Sequence, residues 1–230
     1  FTEPVDVDSL LDSYLRLALI ADGSVVEEQL NFRLRDLTDV DLDTFNTTAD
    51  LIEPHINDKT KAIIPVHLYG QSCDMAPIIK LAEKYNLKII QDASQAIDSR
   101  FKNKQLIYFG DICTYSMHPL KNLNIWGDGG FVATNNKKIA DKLYMLRNHG
   151  LINRNSSKIF AYNSRLDTIQ AVVANYKLKN KLNTITKRRI KNAHLFDKLL
   201  KINPNVKIMK RFPHSVSFSV QGNFTHNRVR

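Results

Sequence analysis

Apolar and polar positions along this chain follow two periods, and the switches between them lay out most of its elements. Leu10, Leu11, Tyr14, Leu15, Ala18 and Leu19 recur at the spacing of one helix face, and Gly23 stands where such a helix would end. Ser24, Val25, Val26 and Glu27 have the form of a capping box that opens a second short helix through about Arg35. From residue 40 onward, short apolar runs take turns with helical stretches. Residues 40–46 read as a strand end before a helix over 48–55, and Ala62, Ile63, Ile64, Pro65 and Val66 read as a buried strand. Asp74 can cap a helix through Tyr85, with Pro77 tolerated in a first turn whose N–H groups have no intrahelical partner. Strands follow over 87–91, 112–115 and 131–134. A helix over 137–148 then places Ile139, Leu143 and Leu146 on one face, with Gly150 just past its end.

Leu166, Ile169, Val172, Val173 and Tyr176 predict a long helix bridging to a second layer, and Ile190, Leu195, Leu199 and Leu200 carry the pattern on to Asn203 and Pro204. Residues 206–209 and 215–220 alternate as strands. The succession implies an α/β fold with a mostly parallel central sheet covered by helices, followed by the beginning of a small C-terminal α+β domain. Three parts are expected: a helical segment over 1–36, an incomplete large domain over 37–160, and a connecting helix with a partial C-terminal domain over 161–230.

Composition narrows the function classes. A chain of 230 residues with 43% hydrophobic content can bury a core. No apolar run is long enough to span a bilayer, and the first residues, Phe1 to Asp8, are acidic where an export leader is basic. Cys73 and Cys113 give neither a disulfide framework nor metal-ligand spacing, so they read as core thiols of a cytoplasmic protein. His67, His118 and His149 share no ligand spacing either, and no metal is expected. Much of the net charge of +10 lies in Lys177, Lys179, Lys181, Lys187, Arg188, Arg189 and Lys191. A solvated helix face and a field attracting a nucleotide diphosphate both account for that cluster. Nucleic-acid binding is not expected, because no recognised module and no interleaved aromatics accompany the charge.

The chemistry centres on the stretch from Ser116 to Gly130, where Lys121 stands between Pro119 and a glycine-rich turn. A lysine on a stiff loop, partly withdrawn from water, becomes nucleophilic and suits Schiff-base formation. Upstream, the apolar run ending at Gln91 delivers Asp92 to the carboxyl end of a buried strand, where open α/β sheets bind ligands. A helix cap is the plainer use of such an aspartate. Trp126 either lines a pocket or packs under the Gly127 turn.

Six words in one order carry a resemblance: Pro65-Val66-His67-Leu68-Tyr69-Gly70-Gln71, Gln91-Asp92-Ala93-Ser94-Gln95-Ala96, His118-Pro119-Leu120-Lys121-Asn122-Leu123, Gly127-Asp128-Gly129-Gly130, Arg147-Asn148-His149-Gly150 and Tyr162-Asn163-Ser164-Arg165-Leu166-Asp167. Together they resemble the DegT/StrS-type sugar aminotransferases, pyridoxal-phosphate enzymes of the aspartate aminotransferase fold. The resemblance implies that Lys121 holds pyridoxal 5'-phosphate as an internal aldimine and moves the proton between substrate and cofactor. It implies that Asp92 pairs with the pyridine nitrogen, Gln95 contacts the ring hydroxyl and Ser116 donates to the phosphate. Asn163 would reach the phosphate of a neighbouring subunit, which calls for a homodimer. The substrates implied are an amino-acid donor, L-glutamate, and a keto sugar that is usually nucleotide-linked.

The chain departs from the family pattern in one place and stops short of it in another. Only a few residues separate Arg35 from Val40, where the family carries a long segment with a Gly-Thr turn gripping the cofactor phosphate and an aromatic stacking on the ring. No Gly-Thr pair occurs in the sequence, and no candidate stacking ring precedes Phe45. The C-terminal domain of the pattern is begun and not completed. A second reading therefore stands beside the enzyme: a shortened, catalytically weak or inactive paralogue that keeps the fold for binding or assembly.

Overall fold

A computed structural model describes residues 40–41, 43–203, 206–211 and 222–224. The helices read over 1–36, the shortened junction after Arg35 and the strand read over 215–220 lie outside these residues.

Four strands form the central sheet among the described residues: β1 (Ala62–Ile63), β2 (Lys88–Asp92), and, beyond a small antiparallel pair β3 (Arg100–Phe101) and β4 (Lys104–Gln105), β5 (Ile112–Ser116) and β6 (Gly130–Ala133), in the order β1-β2-β5-β6. β1 with β2 and β2 with β5 run parallel, whereas β6 runs antiparallel to β5. The sheet is thus mostly parallel with one antiparallel edge, and the α/β class expected from the alternation holds. β1 is shorter than the apolar run that announces it. Pro65 has no N–H to give a ladder, and Val66 regains only an isolated parallel bridge to Asp92.

Helices cover both faces. The short helix α1 (Ala49–Ile52) is capped by Thr48, and α2 (Met75–Lys84) by Asp74, whose carboxylate accepts the Ala76 N–H at 3.2 Å. α2 turns Met75, Ile78, Leu81 and Ala82 onto Ile63 and Ile89. α3 (Lys137–Leu146) packs Ile139, Leu143 and Leu146 against Ile90 and Ile112. Adjacent residues Ile89 and Ile90 of β2 therefore feed opposite layers, as the period of two in a strand requires. After α3 come the hairpin β7 (Leu151–Asn153) and β8 (Ser156–Ser157), then α4 (Thr168–Asn180) and α5 (Leu182–Leu200). β9 (Val206–Ile208) pairs antiparallel with β10 (Gly222–Phe224). The segment past β9 returns to the sheet side of the molecule: Lys210 N–H donates to Asp43 O at 2.8 Å and Gln71 Nε2 to Lys210 O at 3.0 Å.

Three sequence expectations are corrected. The strand end expected over 40–46 is a turn, because Asp41 Oδ1 takes the Asp43 N–H and Asp41 O takes those of Thr44 and Phe45, leaving Phe45 at φ 58°. The long helix read from these apolar positions is present as α4, but most of its apolar residues do not lie on its covered face. Ile169, Val172 and Tyr176 are 61%, 62% and 57% exposed, while Gln170, Val173, Ala174 and Lys177 face inward. The basic cluster lies on two helices that break at Lys181, and Lys177 does not share the solvated face of Lys179, Lys181, Lys187, Arg188 and Lys191.

Candidate functional site

Sheet topology gathers the chemistry at one end. Asp92 is the last residue of β2, and the parallel register pairs it with Thr114, so Ser116 ends β5 just beyond. β6 is antiparallel to β5, and its first residue, Gly130, pairs with Ser116. The loop from Met117 to Gly129 thus leaves and re-enters the sheet at the same carboxyl end, with Lys121 on it. Met117 closes the loop at its base, donating N–H to Gly129 O at 2.7 Å and accepting Ile125 N–H at 3.0 Å. A Cβ at Gly130 would lie 2.6 Å from Tyr115 O, so this pairing needs glycine. Met117, Leu123 and Ile125 are buried with Ile97 and Ala174, against Leu166 and Val173. Those apolar contacts anchor the loop and leave Leu120 and Trp126 outside.

Asp92 sits half-buried on a buried polar frame. Its N–H donates to Pro65 O and its carbonyl accepts the His67 N–H, at 3.0 and 2.9 Å. The His67 ring is fully buried, with Nδ1 accepting the Cys73 N–H and Nε2 at 3.1 Å from Gln91 Oε1. An occupied Nδ1 acceptor makes Nε2 the protonated nitrogen that donates to Gln91. Gln91 Nε2 passes the chain on to Leu106 O at 2.8 Å. Burial pushes the His67 pKa down to about 4, with the Gln91 hydrogen bond and the Asp92 charge opposing, so the ring is neutral near pH 7. Asp92 Oδ1 accepts the Ser94 N–H at 2.9 Å, a local turn bond with no helix following, so the helix-cap alternative does not apply.

The other residues keep particular groups available. Gln95 Oε1 accepts the Tyr69 N–H at 2.8 Å, which leaves the amide NH2 to donate. Tyr69 holds this geometry at φ 55° and meets Phe45 edge-on, with ring centroids 6.0 Å apart. Ser116 Oγ accepts the His118 N–H at 3.2 Å and keeps its own proton for a second partner. Lys121 is partly buried, and its N–H donates to His118 O at 2.8 Å. Asn122, 4% exposed, donates through Nδ2 to Gln95 O at 3.3 Å and so ties the Lys121 loop to the Gln95 turn. Its Oδ1 is buried without a hydrogen-bond partner. A carboxylate that can meet a cationic N–H, two donors suited to anionic oxygens and an amine thus share one end of the sheet.

Asn163 lies elsewhere. It is exposed on a segment bridged antiparallel to Asn148, and its Oδ1 accepts the Arg165 N–H at 3.4 Å. Gly150, at φ 70°, lets this segment close, since a Cβ there would stand 1.7 Å from Ile159 O. Trp126 is 73% exposed, so it does not pack beneath the Gly127 turn. Cys73 and Cys113 are buried free thiols whose pKa values burial pushes up to about 12. Among the described residues no cluster could hold a metal and no helix is long and apolar enough to cross a membrane. Sequence reasoning missed Tyr69, Asn122, Gln170 and Lys177. Asn122 carried a signal in its place beside Lys121, whereas the others become visible only when distant segments meet.

The profile of the DegT/DnrJ/EryC1/StrS aminotransferase family matches residues 36–226. A UDP-N-acetyl-3-dehydro-alpha-D-glucosamine 3-aminotransferase of Acidithiobacillus ferrooxidans is 45% identical over 135 residues, covering 59% of this chain and 37% of that protein. The structure superimposes on DesV of S. venezuelae, solved in complex with a ketimine intermediate, with a TM-score of 0.73 and 33% identity over 76% of this chain and 47% of that one. NtdA of Bacillus subtilis, solved with bound cofactor PMP, gives a TM-score of 0.72 at 32% identity, covering 78% and 42% of the two chains. The chain spans less than half the length of the curated relatives it matches.

Proposed function

The chain belongs to the DegT/DnrJ/EryC1/StrS aminotransferase family, and on that premise we propose that it is a pyridoxal-phosphate-dependent transaminase moving an amino group from an amino acid, L-glutamate, to a keto sugar carried on a nucleotide. The observation that carries the reading is the convergence of Asp92, Ser116 and Lys121 at the carboxyl ends of the neighbouring parallel strands β2 and β5. The donor set fits the cofactor group by group. One carboxylate oxygen of Asp92 is used locally and the other is left for a protonated ring nitrogen. The Gln95 NH2 suits an anionic ring oxygen, and the Ser116 hydroxyl proton suits a phosphate. When bound, pyridoxal phosphate supplies an electron sink for the carbon that carries the amino group.

This chain's own residues do the rest. Lys121 Nζ would hold the cofactor at its carbonyl carbon, with loss of water, and, once the donor amine takes its place there, would carry a proton from one carbon to the other. Asp92 holds a proton on the ring nitrogen by its negative charge, and the His67–Gln91 frame holds Asp92 at the strand end. Met117, Leu123 and Ile125 keep water from beneath the Lys121 loop. Asn163, facing outward, serves the site of a second copy in a homodimer. The exposed lysines and arginines of α4 and α5 draw the nucleotide diphosphate toward the surface, and the two buried thiols suit a reducing cytoplasm.

Incubation with pyridoxal phosphate, borohydride reduction and peptide mapping test the reading. Label on Lys121, together with glutamate-dependent amination of a nucleotide keto sugar, is the expected result. Label on other lysines only, or none at any cofactor concentration, would overturn it. A second reading, a catalytically weak or inactive paralogue that keeps the fold for binding or assembly, stands beside it. That reading predicts Lys121 label without amination.

A further inference from the structure

Two polar residues of α4 bind the loop that carries Lys121, and the reaction proposed above uses neither. Gln170 and Lys177 share a face of α4 with Val173 and Ala174, separated by two helical turns. Gln170 Oε1 accepts the Trp126 N–H at 2.9 Å. Lys177 Nζ donates to Asn124 O at 2.7 Å and also to Asn124 Oδ1. Asn124 Nδ2 donates in turn to Pro119 O at 3.0 Å. The relay from Lys177 through Asn124 to Pro119 therefore closes the turn whose middle is Lys121.

Apolar packing holds only part of the loop. Met117, Leu123 and Ile125 are buried, but Pro119, Leu120 and Trp126, which bracket Lys121, are exposed. The polar links to α4 stand where burial is missing. A lysine is a costly residue to immobilise, because its stem has many rotamers to lose. Lys177 nevertheless engages both side-chain and backbone oxygens of one residue. Ala174, 5% exposed between the two contacts, is small enough to let the helix come this close.

We propose that Gln170 and Lys177 are positioning residues for the reaction. They clamp the Pro119–Asn124 turn against α4 so that the Lys121 amine meets its electrophile from one fixed direction. The inference rests on the transaminase reading for its purpose, and on the hydrogen bonds alone for its geometry. Misplacing a reacting group by about 1 Å can cost about a hundredfold in rate, and loss of one of two clamps should cost about tenfold.

The test uses the full chain and four variants. Gln170→Leu and Lys177→Met remove the clamps while keeping side-chain bulk. Gln170→Glu keeps an acceptor for Trp126 N–H, and Lys177→Arg keeps a cation for Asn124. Folding of each is checked by circular dichroism, and two readouts are taken. The first is the rate at which pyridoxal phosphate plus borohydride labels Lys121. Gln170→Leu and Lys177→Met should slow it about tenfold, and the two conservative variants should restore most of the loss. The second needs no cofactor: the pH profile of Lys121 acetylation by acetic anhydride, measured against exposed Lys59 in the same digest. It should change in the two clamp-deleted variants and return to the parent profile in the conservative pair. Clamp-deleted variants with parental labelling and a parental profile would overturn the inference, even if they melt earlier. If only one deleted variant folds, that variant decides by the same readouts. A parent that takes up no pyridoxal phosphate on Lys121 would overturn the proposed function, and the acetylation profile would then decide the clamp by itself.

Discussion

Acidification should loosen this protein through one residue. His67 is fully buried, and its pKa falls from 6.5 to about 4 because burial opposes its charge. The folded state therefore binds a proton less readily than the unfolded chain, and stability must decline as pH drops below 6.5. The stability is fully present above that value and is lost progressively down to about pH 4. The loss amounts to roughly 1 kcal/mol at pH 5.5 and roughly 2–3 kcal/mol at pH 4.5, relative to neutral pH. Geometry explains why protonation is resisted. Nδ1 accepts the Cys73 N–H, so a proton placed there would set donor against donor. Carboxylates titrate in the same range, and a variant isolates the histidine. In His67→Gln the side chain can accept from Cys73 and donate to Gln91, and it carries no titrating proton. Urea unfolding of both proteins at pH 7.5, 6.5, 5.5 and 4.5 should show the variant less stable at neutral pH by about 1–3 kcal/mol, with the gap closing by roughly 2–3 kcal/mol at pH 4.5. Parallel pH curves for parent and variant would refute the argument.

Other consequences can be checked separately. Gly150→Ala should cost at least about 3 kcal/mol in thermal or urea unfolding, since its Cβ would meet Ile159 O at 1.7 Å in a left-handed conformation. Cys73 and Cys113 should resist iodoacetamide at pH 8 in the folded protein and react together on unfolding, because burial keeps both thiols protonated. Ready alkylation of either in the native state would contradict their placement. Asp92→Asn should leave borohydride labelling of Lys121 near the parent level yet slow the glutamate half-reaction by about a thousandfold or more. Equal rates would remove Asp92 from the proposed role. A chain carrying a Gly-Thr segment grafted between Arg35 and Val40 should bind pyridoxal phosphate about two to four powers of ten more tightly than this chain. Submicromolar affinity by equilibrium dialysis of the ungrafted chain would show that the grip is dispensable.

Most elements of the large domain were legible because their causes are local. Asp74 caps α2 as read, since a short polar side chain before an apolar-periodic stretch has few other uses, whereas Thr48, read as the first helical residue, is the cap of α1. β2, β5 and β6 stand within a residue of the apolar runs that announced them. Asp92, Gln95, Ser116 and Lys121 were legible as words in a fixed order, and the parallel register of β2 and β5 brings them to one end. Local pattern fails where a residue's partner is remote. Nothing in the run from 40 to 46 says that Asp41 will bend it into a turn, because its apolar residues read equally as strand. Apolar residues on α4 could not reveal which face is covered, since both faces carry them and only the loop from Met117 to Gly129 chooses. Lys177 read as one charge in a basic run, and only tertiary structure sets it against Asn124. His67 read only as a ring without metal-ligand spacing. Its neutral state, however, depends on a dry frame built from three separate segments. Sequence thus determines where the chain turns helical or extended and which reactive groups it carries. Which of those groups meet, and which charge is lost to burial, is decided when segments far apart in sequence exclude water between them.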